Sequence, residues 1–389
     1  MSQLKLPIPR ETDFKSRLRD PAVASRVGLW LGVCFGLAFL TGLYSHFAQA
    51  DYTWFPLPTR PSWLYRVTQG VHVAAGTAAV PLLLVKLWTV FPKLFARPPR
   101  EKRALVLHGL ERASIGVLVA TAIFQLATGL ANTSGWYPWA FSFRATHYAV
   151  AWLAIGALLV HIAVKLPVIT GALRTDVDAA DQDRPGGAAT TGGLSRRGLL
   201  RTTWVAAGLA VLTTTGSAVP FLRSVSVFGV RSGRGPDGVP INKTARAAGV
   251  TASALSGEYL LSVSAGDRTR TLSRAELEAL PQHTATLPIA CVEGWSAVAE
   301  WTGVRVRDLV ALVDGPPGAA VLVTSLQRRG HLRRTRLPGN FVQDADSLLA
   351  LRLDGEPLSL DHGYPCRIIA PNRPGALQTK WVGSLEVET

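Results

Sequence analysis

A chain of 389 residues is longer than one ordinary domain and is expected to fold as two or three units. Its formal net charge of +15 is unevenly spread: residues 1–224 hold 23 Lys+Arg and 10 Asp+Glu (net +13), and residues 225–389 hold 18 and 16 (net +2). The basic excess lies in the half that carries long apolar runs, so membrane-flanking loops account for it and no nucleic-acid partner is expected, while three cysteines are too few for a disulfide framework.

Residues 1–26 read as a basic N-terminal segment on the cytoplasmic side. Five apolar runs follow, at 27–46, 66–90, 108–130, 146–169 and 199–222, each about 20 residues long and so long enough to cross a bilayer as a helix. The loops set their direction. Lys5, Arg10, Lys15, Arg17, Arg19 and Arg26 precede the first run, and Lys93, Arg97, Arg100, Lys102 and Arg103 separate the second from the third. Arg174, Arg184, Arg196 and Arg197 precede the fifth. Lys and Arg collect on the cytoplasmic side of membrane proteins, so five crossings leave everything after residue 222 outside the cytoplasm.

Five of the eight histidines lie in or beside these runs: His46, His72, His108, His147 and His161. Ionisable side chains at membrane depth are costly and usually functional. His147 and His161 are fourteen residues apart on one expected helix, about 21 Å along a single face, which suits axial ligands of two stacked haems. His72 pairs best with His147 for an outer haem, and His161 with His108 for an inner one. An interfacial histidine bonded to a headgroup is the alternative for each. Residues 27–170 resemble bacterial di-haem cytochrome b561-type membrane domains, which implies haem b (one or two) and a quinone pool or another membrane electron carrier as partner.

Residues 171–198 read as a polar, Gly/Ala-rich linker ending in "SRRGLLR" (195–201). Paired arginines before a weakly apolar helix resemble a twin-arginine export signal placed inside the chain. The alternative is an ordinary basic cluster before a membrane helix.

Residues 225–389 read as an extracytoplasmic α+β domain. "EYLLSVSA" (258–265), "ATLPIA" (285–290), "AAVLVTSL" (319–326) and "CRIIA" (366–370) are strand-like, and "SRAELEAL" (273–280) and "RVRDLVALV" (305–313) are helical, the first with a capping box from Ser273 to Glu276. Cys291 ends a strand and opens a loop. It is either a small buried residue or a thiolate offered to a metal, and no neighbouring Cys or His makes a structural zinc site. "QRRGHLRRTRL" (327–337) is either a solvated hairpin or a positive rim, and Cys366 reads as a small buried hydrophobe.

"CVEGWSAVAEWTGVRVRDLV", "LDGEPLSLDHGYPCRIIAP" and "LQTKWVGSLEV" are similar, in this order, to segments of the sulfite oxidase family of molybdopterin enzymes. The resemblance covers about 240–389. It implies molybdenum-molybdopterin as cofactor, with Cys291 as catalytic residue and molybdenum ligand. It also implies His362, Arg367, Gln378, Thr379 and Lys380 as cofactor contacts, with Asn242, Thr244 and Ser325 (or Thr324) as further ones. The expected whole is a multi-domain chain: an all-α transmembrane bundle of five segments, then the α+β molybdopterin domain. It would transfer an oxygen atom to or from a small oxyanion or sulfoxide, in a membrane-lipid setting. The alternative is a haem electron-transfer or redox-sensing protein with a catalytically silent cofactor domain.

Overall fold

The computed structural model describes residues 9–14, 16–50, 55–179, 193–229 and 238–388. The chain divides into one unit of Met1–Leu40 with His72–Thr214 and another of Thr41–Val71 with Thr215–Thr389.

The first unit is helical. It is built on α1 (Pro21–Ala50), α2 (Leu64–Val90), α3 (Lys102–Thr133), α4 (Phe143–Arg174) and α5 (Arg196–Thr214), with α1 and α2 each continuing into the other unit at one end. Among the described residues, four helices (α1, α2 with its short 3₁₀ extension to Phe95, α3 and α4) are long and apolar enough to cross a membrane. Leu40, Leu84, Leu110 and Leu159 stand more than half exposed on them, an outer surface that hydrocarbon would cover and water would not. Inside, α3 packs on α4, and an apolar cluster joins Val23 and Val27 of α1, Leu82 of α2 and Leu199 of α5. Glu111 pairs with Lys165 across α3 and α4.

The fifth expected crossing, 199–222, is corrected in length. Its helix spans 19 residues and stops at Thr214, outside the group of four. Thr202, Thr203, Thr213 and Thr214 turn their hydroxyls back to carbonyls four residues earlier, which satisfies them but leaves the helix weakly apolar. The chain then folds back at Gly216, where a Cβ would lie 2.6 Å from Ser226 and 2.8 Å from the Arg223 backbone. At its other end the paired arginines separate. Arg196 is 1% exposed and donates to the carbonyls of Arg17, Val177 and Ala179, with Asp20 3.6 Å away, whereas the half-exposed Arg197 pairs with Asp176 and Asp178. Residues 180–192 of the expected linker lie outside the described residues.

The second unit carries two five-stranded sheets. Its strands are β1 (Leu260–Ala265), β2 (Arg268–Ser273), β3 (His283–Ala290), β4 (Ser296–Arg305), β5 (Val321–Ser325), β6 (Arg334–Leu337), β7 (Leu348–Leu353), β8 (Glu356–Pro357), β9 (Arg367–Ile369) and β10 (Val382–Val387). The first sheet runs β2-β1-β10-β5-β6, with β1 and β10 parallel and every other pair antiparallel. The second runs β3-β4-β7-β8, with β9 also on β7. Short helices α6 (Ala245–Ala248), α7 (Thr251–Ala254), α8 (Arg274–Ala279), α9 (Val306–Ala311) and α10 (Gly339–Gln343) fill the corners, α8 opening with the Ser273–Glu276 capping box.

Strand β7, "LLALRL", explains the layering. Side chains alternate across a strand. Leu349 and Leu351 enter the main core with Val263, Val323, Leu309 and Phe341, while Leu348 and Ala350 enter a second core with Leu287, Ile289, Trp301 and Ile369. Both faces are therefore covered from Leu348 to Leu351, which reads as unbroken aliphatic sequence, and Arg352 beyond them is exposed. The second core ends at Cys291, which places the cysteine where the sheet opens into loops.

A cationic cavity beside Cys291

Four chain segments meet at the carboxyl end of β3. Cys291 closes a tight loop: its N–H donates to Trp295 O (2.9 Å), its carbonyl accepts from Gly294 (3.1 Å), and Gly294 takes a φ of +77° that suits glycine. The thiol is 2% exposed and packed in the second core. Burial, with Glu293 beside it, pushes its pKa up, so without a metal it stays protonated.

Next to this loop lies a cavity of about 210 Å³. Ile289 and Trp295, which flank Cys291 in sequence, form part of its wall, as do Asn242, His362, Arg367, Gln378, Thr379 and Lys380. All six are among the cofactor contacts that the sequence resemblance implies. Cys291 itself is not on the lining, but a thiolate there would stand close enough to Lys380 to favour its charge. Thr244 and Ser325 are not on the lining either. Thr244 caps α6 by accepting from Ala247 N (3.2 Å), and Ser325 donates to the Lys380 carbonyl (2.8 Å), so both brace the wall from behind.

The wall is cationic. Arg367, 3% exposed, donates to the carbonyls of His362 (3.1 Å) and Gln378 (3.3 Å) and lies over the Trp301 ring, while its Nε has no hydrogen-bond partner among the described residues. Burial pushes its pKa down to about 10. Lys380 donates to the carbonyls of Lys243 and Asp361 and is pushed down to about 7, chiefly by burial and then by Arg367. His362, pushed down to about 4 by burial with Arg367 and Lys380 nearby, is neutral at pH 7. Gln378 Oε1, also buried, accepts no hydrogen bond among the described residues. No Asp or Glu lines the cavity among the described residues; Asp361, off the lining, favours the charge on Lys380, but burial and Arg367 outweigh it. Such a cavity is built for an anion with several acceptor oxygens.

Two glycines make room. A Cβ at Gly375 would lie 2.9 Å from Ala290 O, and one at Gly363 (φ +116°) would lie 3.0 Å from Arg367 Cβ and 3.2 Å from that of Lys380. Lys243, Gln327 and His331 also line the cavity and were not singled out as site residues. Gln327 and His331 belong to the Arg-rich stretch read as a possible rim, whereas Lys243 gave no signal, because a lone lysine in a loop has no spacing to a partner. Cys366 is fully buried in the main core, 3.1 Å from the Tyr259 hydroxyl and away from the cavity.

In the first unit, the His72 and His147 rings lie 6.3 Å apart, centroid to centroid. His72 Nδ1 donates to Ala38 O (2.8 Å). His147 Nδ1 lies 3.2 Å from Thr128 Oγ1, whose own proton goes to Phe124 O (2.7 Å), so this Nδ1 also donates. In both imidazoles the lone pair is therefore on Nε2. His161 and His108 make no ring contact with each other among the described residues, and His108 Nε2 accepts from Arg112 (2.9 Å). The Nε2 of His108 is thereby occupied.

Residues 248–389 match the family described as the oxidoreductase molybdopterin binding domain. The chain is 30% identical to the mitochondrial sulfite oxidase of Drosophila melanogaster over 33% of its own length and 27% of that protein's. It is 29% identical to the uncharacterized oxidoreductase YuiH of Bacillus subtilis over 31% of this chain and 60% of that one. It is also 29% identical to the provisionally named protein-methionine-sulfoxide reductase subunit YedZ1 of Azospira oryzae, over 29% and 42%. The chain spans about a quarter of the length of the sulfite oxidase it matches. Its C-terminal part is an enzyme domain, a molybdopterin-binding oxidoreductase. Over this stretch it is similar to proteins named sulfite oxidase.

Proposed function

We propose that the chain is a membrane-bound molybdopterin-dependent oxidoreductase that moves an oxygen atom to or from a small oxyanion or sulfoxide outside the cytoplasm and exchanges electrons with the quinone pool through haem b. The observation that carries this reading is the cationic cavity beside Cys291, lined by no carboxylate among the described residues.

The residues present fit the cofactor. Cys291 would hold molybdenum as a soft thiolate ligand. Its raised pKa means that loading the metal releases a proton. Arg367 and Lys380, with Gln378, Thr379, His362 and Asn242, would hold the pterin and its phosphate. Bound there, the group supplies two-electron oxygen-atom transfer. Lys380, with a pKa of about 7, can hold or release a proton at Nζ near neutrality, and neutral His362 serves as a hydrogen-bonding group and adds no charge. Reduction of an oxide consumes two electrons and two protons and yields water; oxidation of sulfite runs the same balance in reverse.

The His72–His147 spacing supports one haem. His72 and His147, with rings 6.3 Å apart and each held through Nδ1, would hold a haem iron through Nε2. A second haem on His161, with His108 across from it, requires Arg112 to leave His108. The basic loops support a cytoplasmic N-terminus and, with α5 as a fifth crossing, a catalytic unit outside. If "SRRGLLR" directs export, it is read before the first unit folds, because Arg196 is buried afterwards.

The test is molybdenum and pterin analysis with a pyridine haemochrome spectrum on the purified chain, followed by turnover assays with quinol and quinone analogues. Cys291→Ser is expected to keep the haem spectrum and lose turnover. Retained turnover, or a chain without molybdenum, defeats the assignment.

A further inference from the structure

Asn372 sits between two regions that the sequence separates by about 300 residues. It is 2% exposed and holds a φ of +54°, a conformation that Asn tolerates better than most residues. Its polar groups turn to the ends of the first two spans and the loop between them. Its N–H donates to Ser62 O (3.2 Å), its Nδ2 to Pro58 O (2.6 Å) and Tyr44 Oη (3.3 Å), and its Oδ1 accepts the Tyr65 N–H (2.7 Å). The same loop is fastened by Asn340 on Leu57 O (2.7 Å) and by Arg60 on Asp344 and Asp346. Three residues beyond Asn372, Gly375 abuts the Ala290 carbonyl and begins the cavity wall that runs on to Lys380. Tyr65, 1% exposed, packs against Ala290, the residue before Cys291.

We infer that Asn372 is a positioning residue: it pins the loop between the first two spans to the wall of the cofactor cavity, seats Tyr65 over Ala290, and so makes the start of α2 the electron lead into the metal site. The inference rests on the molybdopterin-and-haem reading. Tyr65 and His72 share α2, seven residues and almost two whole turns apart, so they lie on one face of that helix. Electron tunnelling falls steeply with distance and less steeply along bonded paths than through gaps. With both groups bound, one substrate oxide would take two electrons, passed one at a time along α2, and two protons, and release water.

The experiment uses the full chain, with molybdenum content and haem spectrum measured on every sample. Asn372→Gly keeps the backbone conformation and removes the three side-chain bonds. It is expected to retain molybdenum and turnover with a reduced dye that feeds the metal site directly, while oxidation of dithionite-reduced haem by added methionine sulfoxide or, in the opposite direction, haem reduction by sulfite slows by about tenfold to a hundredfold. Asn372→Asp, which keeps Oδ1 for Tyr65 and loses only the Nδ2 donor, is expected to recover part of that rate. Haem turnover at the wild-type rate in Asn372→Gly, or parallel loss of both activities with molybdenum retained, overturns the inference. A second measurement does not depend on how the variant folds: amide exchange of residues 55–65 in wild-type chain is expected to be slower by about tenfold in molybdenum-replete than in molybdenum-starved protein. Equal exchange overturns the pin. A chain with no molybdenum or no haem fails the underlying reading and is distinguishable from either result.

Discussion

Lys380 carries the main tension of the site. An ammonium with an ordinary pKa near 10.4 is held among carbonyls beside another cation, and its pKa falls to about 7 in the folded chain. Between those two values the unfolded chain binds the proton that the folded chain has released, so stability rises with pH across that window and is flat below it. Cofactor-free protein is therefore expected to melt higher at pH 9 than at pH 7, with each kcal/mol worth about 2–4 °C. Lys380→Met should remove that rise, and loading an anionic cofactor should shrink it by restoring the charge on Lys380. Differential scanning calorimetry at the two pH values checks both; an identical pH dependence in Lys380→Met shows that the lysine is not the source. Much of this site was legible as sequence because its residues stand at fixed spacings in "DHGYPCR" and "LQTKW". Asn372 was not. In "APNRPG" it reads as loop punctuation, and what it bonds to lies some 300 residues earlier in the chain. Thr244 and Ser325 were read as contacts, yet each spends its hydroxyl on backbone behind the wall.

At the scale of elements, the strands were readable wherever alternation or β-branched runs were strong, and β3, β5 and β9 fall on the stretches that suggested them. The irregularity that shapes the second sheet was not readable. The β4–β7 register shifts between Thr302 and Gly303, and a Cβ at Gly303 would lie 2.1 Å from Leu349 O. A side chain there must push β7 and with it both cores, so Gly303→Ala is expected to destabilise the chain by about 2 kcal/mol or more, read as a lowered denaturation midpoint in detergent. An unchanged midpoint shows that the bulge absorbs the methyl group. Among the helices, hydropathy located all five but overran α5, because a window average does not register the fold-back at Gly216. Registers in α2 and α4 make a sharper claim. If His72 and His147 grip one iron, either change to Ala should remove the same haem signal, whereas His161→Ala should leave that signal intact. A pyridine haemochrome titration of the three variants decides it, and full haem content in His72→Ala sinks the pair.

Across the whole molecule, charge asymmetry is the property that sequence conveys best and a fold conveys least, since it concerns the membrane and not any contact. The first 224 residues carry a net charge of +13, and the cations cluster in alternate loops. Lys and Arg near span ends resist translocation, so the loop after α2 should face the cytoplasm and the loop after α3 should face outward. Arg100 and Ser134 are exposed residues on those two loops, and the chain's own cysteines are buried or half-buried, which keeps labelling background low. In intact cells a membrane-impermeant maleimide is therefore expected to label Ser134→Cys and not Arg100→Cys, with Arg100→Cys reacting once the membrane is permeabilised. The reverse pattern turns the chain over and puts the span ends at Tyr44 and Tyr65, together with the catalytic unit if α5 crosses, on the cytoplasmic side. Oxygen-atom transfer would then draw on substrates of the cell interior, where the domain needs no export at all, and the paired arginines at 196 and 197 would be left with the structural role that Arg196 already performs in binding Arg17, Val177 and Ala179.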